Sequence, residues 1–316
     1  MRILLTGATG AIGADLAPRL ARDGHEVRAF ARAPARVAAR GVADVVRGDA
    51  VTGAGLAAAL DGVDVAVFLI HSMEGRPPAP PAVPAADGGS FAERDRRAAE
   101  RFARAAQRAG LRRVVYLGGI LPAAGALSAH LRSRLEVEEL LLAAAPEAVA
   151  LRASIVVGAR SRSFRFLVRL VERVPVMPLP AWRAHRTRPI DARDVVGLLA
   201  AAATSGAVDG PLSLDAAGPD VVTYAELLER IRDALLLARP RIDLPLTLTP
   251  VASRVAAAIA GEDPELIGPL MGSLEGDLLP RDDRAPALLG VRLHTLDAAI
   301  EHALGEWEAV EELAGR

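Results

Sequence analysis

The chain has 316 residues, 51% of them hydrophobic, and a formal net charge of −1 from 38 basic and 39 acidic side chains. That is ample apolar material for a core, in one large unit or two lobes, and interspersed charges without a basic stripe argue against a nucleic-acid-binding surface. With no cysteine, disulfides, thiolate metal sites and cysteine nucleophiles are excluded, and the absence suits a reducing compartment.

The sequence also lacks lysine and asparagine, so every basic side chain other than histidine is arginine. Neither a lysine Schiff base nor a lysine-assisted tyrosine is available. "MRILLTGATG" runs straight into a strand without the charged-then-apolar build of a signal peptide. Apolar runs such as Val195–Ala203 fall short of the about 20 residues that a bilayer demands. The expected location is cytoplasmic, away from membranes.

In chain order, "RILLT" (Arg2–Thr6) predicts a short strand and Ala11–Gly24 a helix closed by glycine. Strands are predicted at Glu26–Ala31, Val42–Gly48 and, as a continuous apolar run, Val63–Ile70. A helix from Phe91 to Ala109, a strand over Arg112–Gly119, a helix over Ala129–Ala144 and a strand over Ala148–Gly158 follow. Such alternation implies parallel pairing with helices on both faces, an α/β doubly wound sheet of Rossmann type. Between the fourth strand and its helix, Gly75–Ser90 carries five prolines and three glycines and reads as a long loop, either a cover over the ligand side or a surface insertion.

Beyond about residue 158 the pattern changes. Thr187–Gly206 predicts a short strand and a helix capped by Asp191, and Gly210–Ile231 a strand, a turn and a helix starting near Thr223. Apolar helical segments broken by glycine and proline come after Pro245, then a last helix around Thr295–Leu313. The expected division is a nucleotide-binding domain over 1–158 and a smaller, mostly helical lobe over 159–316 covering the substrate, interleaved with the core around 187–215.

"LLTGATGAIG" sets Gly7, Gly10 and Gly13 between a strand and a helix. Gly7 permits a tight turn, Gly10 lets backbone approach a diphosphate, and Gly13 allows close helix–strand packing at a helix N-terminus that attracts anions. Cofactor choice turns on the end of the second strand, where an NAD site carries a carboxylate for the ribose 2′-hydroxyl. Here Ala31 is followed by Arg32 and Arg36, guanidinium groups suited to a 2′-phosphate. NADP(H) is therefore expected over NAD(H). Asp49, in "RGDA", is placed either to accept a bond from adenine or to cap a helix.

With these residues in hand, the chain resembles the short-chain dehydrogenase/reductase superfamily, in its atypical, extended branch with NmrA-like and sugar-epimerase-like members. The resemblance is carried by Thr6–Gly13, "VRAFARAPAR", "DVAVFLIHSM" (Asp64–Met73), "RRVVYLGGI" (Arg112–Ile120), "LRASIVVG" (Leu151–Gly158) and "RTRPIDARDVV" (Arg186–Val196). It implies a Rossmann core with a C-terminal substrate lobe. Its implied cofactor contacts are Gly7, Thr9, Gly10, Ile12 and Gly13 on the turn, Arg32, Arg36 and Asp49 at the adenosine half, and Leu69 and Ile70 after the fourth strand.

Active members of the superfamily use a Ser or Thr after the fifth strand, a Tyr that moves the proton, and a Lys four residues on that holds the nicotinamide ribose. This chain departs at all three, with Gly118–Gly119, His130 and Arg134, and it has Arg101 where similar sequences often carry Asn. At i, i+4 spacing His130 and Arg134 share a helix face. Arg134 can bond ribose hydroxyls but stays charged, and its charge favours a neutral imidazole on His130, able to act as base or hydrogen-bond donor. The bland alternative makes both ordinary surface residues.

His71, after the fourth strand, is a second candidate for proton handling or a residue that only shapes the pocket. His25, His185, His294 and His302 lack metal-ligand spacing, so no metal is expected. Arg183, His185, Arg186 and Arg188 form either a basic rim or pairs with acids. Tyr116, Phe164, Phe166 and Trp182 are expected in the core. Three functions follow. One is an NADP(H)-dependent oxidoreductase acting on a small, largely apolar substrate. The others are a non-catalytic NmrA-like redox sensor and a redox-neutral isomerase.

Overall fold

Apolar strands with both faces to bury need helices above and below, and the sequence supplies them alternately. The computed structural model describes residues 1–38, 40–71, 90–123, 127–244, 259, 274 and 276–314. Its first half comprises β1 (Arg2–Thr6), α1 (Ala11–Arg22), β2 (Glu26–Ala31), β3 (Val42–Arg47), α2 (Leu56–Leu60), β4 (Val65–Phe68), α3 (Phe91–Arg108), β5 (Arg113–Gly119), α4 (Ala129–Leu142) and β6 (Val149–Ala153). The run expected as one strand to Gly158 divides. After β6 the chain changes partners, and β7 (Val156–Val157) pairs with β10 (Ile190–Asp191) instead of with the main sheet.

Next come α5 (Arg162–Arg173), β8 (Met177–Leu179), β9 (Arg186–Thr187), β10, α6 (Ala192–Thr204) and β11 (Leu212–Ala216). β11 completes a seven-stranded sheet in the order β11-β6-β5-β4-β1-β2-β3, every pair parallel. The order reverses between β1 and β4, the place where loops diverge and leave a crevice at the carboxyl ends of the strands. Gly7, Arg32, Asp49 and His71 all follow strands on that edge.

Side-chain alternation divides the sheet between two cores. Ile3, Leu5, Val65, Val67 and Val115 pack with α1 and α6. Leu4, Ala66, Phe68, Val114 and Tyr116 pack with α2, α3 and α4. Arg113, only 1% exposed, opens β5 and closes the far end of α6. Its guanidinium donates to the carbonyls of Ala202, Ser205 and Val208 and pairs with Glu147 at 2.6 Å. It thereby satisfies carbonyls that a helix C-terminus leaves unpaired.

The remaining elements are β12 (Val222–Thr223), α7 (Tyr224–Ala234), β13 (Arg241–Asp243), α8 (Arg284–Leu289) and α9 (Leu296–Glu308). A third core joins α5, α7 and α9, with Phe164, Phe166, Trp182 and fully buried Trp307. Arg165 and Arg169 lie over the Trp307 ring at 4.1 and 4.8 Å. Asp191 caps α6 and Thr223 caps α7 with a reciprocal Glu226 bond, as the sequence predicts. The last helix stops at Glu308, short of Leu313. The pairs β8–β13 and β9–β12 are too short to leave a periodic signal. The proline-rich segment (residues 75–89) and most of the stretch expected to be helical after Pro245 lie outside the described residues.

Candidate cofactor and active site

The turn after β1 is built from backbone. Gly7 has φ +72, and a side chain there would meet Leu69 at 3.1 Å. Its carbonyl accepts from the Gly10 N–H at 2.9 Å. Gly13 sits so close that an added Cβ would lie 2.2 Å from the Gly7 carbonyl oxygen, whereas one on Gly10 would meet only that oxygen, at 3.3 Å. Gly13 is thus demanded by internal packing, while the space in front of Gly10 is open to a ligand. Gly10 is the N-cap of α1, with no side-chain cap and no acid in the first turn. Its N–H groups are therefore available to an anion. Thr9 is exposed beside it, and Ile12 is half-buried.

Thr6 escaped the sequence reading. Fully buried, its hydroxyl donates to the Val67 carbonyl at 3.3 Å and accepts from the Leu69 N–H at 3.1 Å. It fastens the ends of β1 and β4 at the reversal point and fixes Leu69 beside Gly7. Leu69 packs partly into the core on the α1 side and Ile70 into the opposite one.

At the end of β2, Arg32 and Arg36 are exposed, and neither guanidinium has an ion pair or hydrogen bond among the described residues. Arg28, on the same strand, is instead held by Asp44 at 3.0 Å and by three carbonyls. No carboxylate stands between Ala31 and Asp44 in the sequence. Asp49 is not a helix cap. Its carboxylate accepts from the Val51 N–H at 2.8 Å and closes a turn, and α2 begins only at Leu56, behind Gly55.

The other end of the crevice is made of side chains. His130 lies in the first turn of α4, which Ser128 caps, and Arg134 is one turn further along. Burial foremost, then the charge of Arg134, lowers His130 to about 4. Burial again leads in lowering His71 to about 3, followed by Arg134, His130 and Arg162. Three elements therefore bring His71, His130, Arg134 and Arg162 to one place, and both imidazoles are neutral at pH 7. The sequence reading attributed a neutral His130 to Arg134 alone; desolvation is the larger cause. Nδ1 of His71 is sealed from solvent and has no hydrogen-bond partner among the described residues. Arg162, at the start of α5, had no motif to announce it.

Other candidates lie elsewhere. Arg183, Arg186 and Arg188 pair with Asp243, Asp277 and Asp283, so their rim is neutralised. His185 bonds the Leu274 carbonyl, and His294 bonds Asp194 at 2.6 Å. Arg101 donates to the Thr52 carbonyl, bracing the turn after β3. Among the described residues, no group of His, Asp and Glu is arranged to hold a metal, and no helix is long and apolar enough to cross a membrane.

A parallel sheet with a glycine turn at its reversal point has the build of a nucleotide-binding α/β fold. Residues 7–154 match the family model described as NAD(P)H-binding. The chain is 32% identical over 123 residues to the 3 beta-hydroxysteroid dehydrogenase/Delta 5-->4-isomerase of Mycobacterium tuberculosis, a match covering 36% of this chain and 30% of that protein. It is 52% identical over 69 residues to the (4-alkanoyl-5-oxo-2,5-dihydrofuran-3-yl)methyl phosphate reductase of Streptomyces griseus, covering 22% of this chain and 24% of that one. Each alignment thus spans well under two thirds of the relative's length. Over 98% of this chain and 99% of the other, the fold matches MoeE5 in complex with UDP-glucuronic acid and NAD, with TM-score 0.71 and 22% identity. Over residues 7–154 the chain is thus similar to NAD(P)H-binding proteins, and the solved structures it resembles share its Rossmann-type fold.

Proposed function

We propose that the protein is an NADP(H)-dependent oxidoreductase acting on a small, largely apolar organic substrate without a Ser–Tyr–Lys triad. The observation that carries the reading is the pairing of two neutral, shielded imidazoles with Arg134 at the end of the crevice opposite Arg32 and Arg36. A surface histidine on a cofactor-binding scaffold would keep an ordinary pKa. The names of the partly aligned relatives, a dehydrogenase and a reductase, lend support.

When bound, the nicotinamide would supply hydride chemistry. The N–H groups behind Gly10 would hold the diphosphate, and Arg32 with Arg36 the 2′-phosphate through charge-assisted bonds. Arg134 would grip the nicotinamide ribose. Always protonated, it cannot exchange a proton at pH 7. That leaves neutral His130 to donate or accept one at a substrate atom, with His71 behind it. The helices of the third core would cover the substrate.

The decisive measurement follows nicotinamide absorbance while NADPH and then NADH are offered with a panel of ketones, aldehydes and enones. Turnover with NADPH, and much less with NADH, is the expected outcome. Tight NADPH binding with no turnover across the panel, together with a recoverable protein partner, would replace this reading with that of a redox sensor, which the missing triad favours.

A further inference from the structure

We infer that Tyr116 is a positioning residue for Arg134, so that a tyrosine–cation couple absent from α4 is rebuilt between β5 and α4. This rests on the reading that Arg134 serves the nicotinamide ribose. Tyr116 is 1% exposed and packs its ring against Phe68, with centroids 6.4 Å apart. As packing alone, a phenylalanine would fill the same space. The hydroxyl adds two contacts, both to one residue. It accepts from Arg134 Nη1 and donates to the Arg134 carbonyl, each at 3.4 Å. These are long bonds, of the kind that tighten around a site when its ligand arrives.

Arg134 needs such an anchor. Among the described residues its guanidinium has no carboxylate partner, unlike Arg113 with Glu147 or Arg152 with Glu138. A long side chain with many rotamers loses orientation unless something holds it. The Tyr116 hydroxyl does so from below, leaving the outer nitrogens free to face the crevice.

The same geometry bears on one of the two glycines, Gly118–Gly119, that stand where the resemblance implies a hydroxyl. Gly118 lies two residues along β5, on the same face of the sheet, and a Cβ added there would sit 3.0 Å from Tyr116 Cε1. A serine side chain and the tyrosine ring compete for one space. In this chain the ring holds it, so the missing hydroxyl at position 118 and Tyr116, two residues apart on β5, are linked features of one arrangement.

The test compares two ligands by calorimetry: NADPH, and adenosine 2′,5′-bisphosphate, which lacks the nicotinamide half. Tyr116→Phe should weaken NADPH about tenfold, the scale of one hydrogen bond to a charged group. Arg134→Met should weaken it at least as much, and the double variant no more than Arg134→Met alone. The bisphosphate should bind all three variants as it binds the wild type. Equal weakening of both ligands by Tyr116→Phe, or additive losses in the double variant, overturns the positioning role. So does unchanged NADPH affinity in Tyr116→Phe while Arg134→Met loses it. An Arg134→Met variant that binds NADPH normally overturns the ribose reading itself.

Discussion

The two ends of the crevice are built on opposite plans. At the proposed diphosphate end, one contiguous segment from Thr6 to Gly13 is built from backbone N–H groups and the absence of side chains. At the proposed nicotinamide end, side chains converge from the end of β4, the first turns of α4 and the start of α5, with Tyr116 of β5 beneath them. The first end depends on space being kept empty. The second depends on desolvation that holds imidazoles neutral. One plan fails when atoms are added, the other when polar atoms are removed or charged.

The largest effects expected come from breaking the first plan at two of its three glycines, which should fail differently. Gly13→Ala places a methyl 2.2 Å from a backbone oxygen that no rotamer can move. The helix must leave the strand, and we expect about 3 kcal/mol of lost stability together with loss of cofactor binding. Gly10→Ala meets that oxygen at 3.3 Å, and Gly10 has φ −78, which alanine adopts easily. Its thermal unfolding should stay near wild type while NADPH affinity falls roughly ten- to hundredfold, the scale of overpacking against a ligand. If calorimetry finds the cofactor bound normally by Gly10→Ala, the diphosphate does not lie on this turn.

This contrast also explains what was legible in the sequence. The turn could be read because its requirements are local. Three glycines at fixed spacing between an apolar strand and a helix leave little else to build, and the sheet follows from alternation of the same kind. The nicotinamide end could be located only by resemblance, through the offset of His130 and Arg134. Its cause of neutrality was misjudged because burial is a property of packing, which periodicity does not reveal. Arg162 stands in no motif, and Tyr116 looked like any core aromatic in a strand. Its hydroxyl acquires a partner only when α4 crosses over β5. For Asp49 only the helix-cap alternative fell away, because the residues after it form a tight turn and α2 starts later.

A smaller effect separates the adenosine half from the rest. Arg32→Glu should weaken NADPH roughly ten- to hundredfold by removing charge-assisted bonds to the 2′-phosphate, while leaving NADH within a few-fold. Among the described residues neither guanidinium group has an internal partner, so no ion pair described in the fold is disturbed, and the unfolding temperature should barely move. Equal losses for the two nucleotides would assign the arginine to general attraction and remove the case for NADP(H).

The finest test sharpens the second plan through protons. His130 stays neutral in the folded chain down to about pH 4 and His71 down to about pH 3, whereas unfolded histidine takes a proton below 6.5. Between 6.5 and about 4 the unfolded state therefore binds more protons, and stability must fall as the pH falls through that window. Each imidazole contributes a slope of up to about 1.4 kcal/mol per pH unit. Carboxylates titrate in the same range, so the wild-type curve alone does not isolate the effect. His130→Gln keeps a polar side chain of similar size without the titration, and subtraction removes every other group except His71, whose own protonation His130 opposes. Urea unfolding of both proteins at intervals across the window should show the variant losing stability more gently, by about one proton's slope. The turn from Gly7 to Ala14 contains no ionisable side chain, so Gly10→Ala should leave the pH dependence untouched. Parallel curves for wild type and His130→Gln would mean that the imidazole is solvated and titrates as in the unfolded chain. The shielded proton-handling group at the nicotinamide end would then be lost, while the diphosphate end stood unaffected.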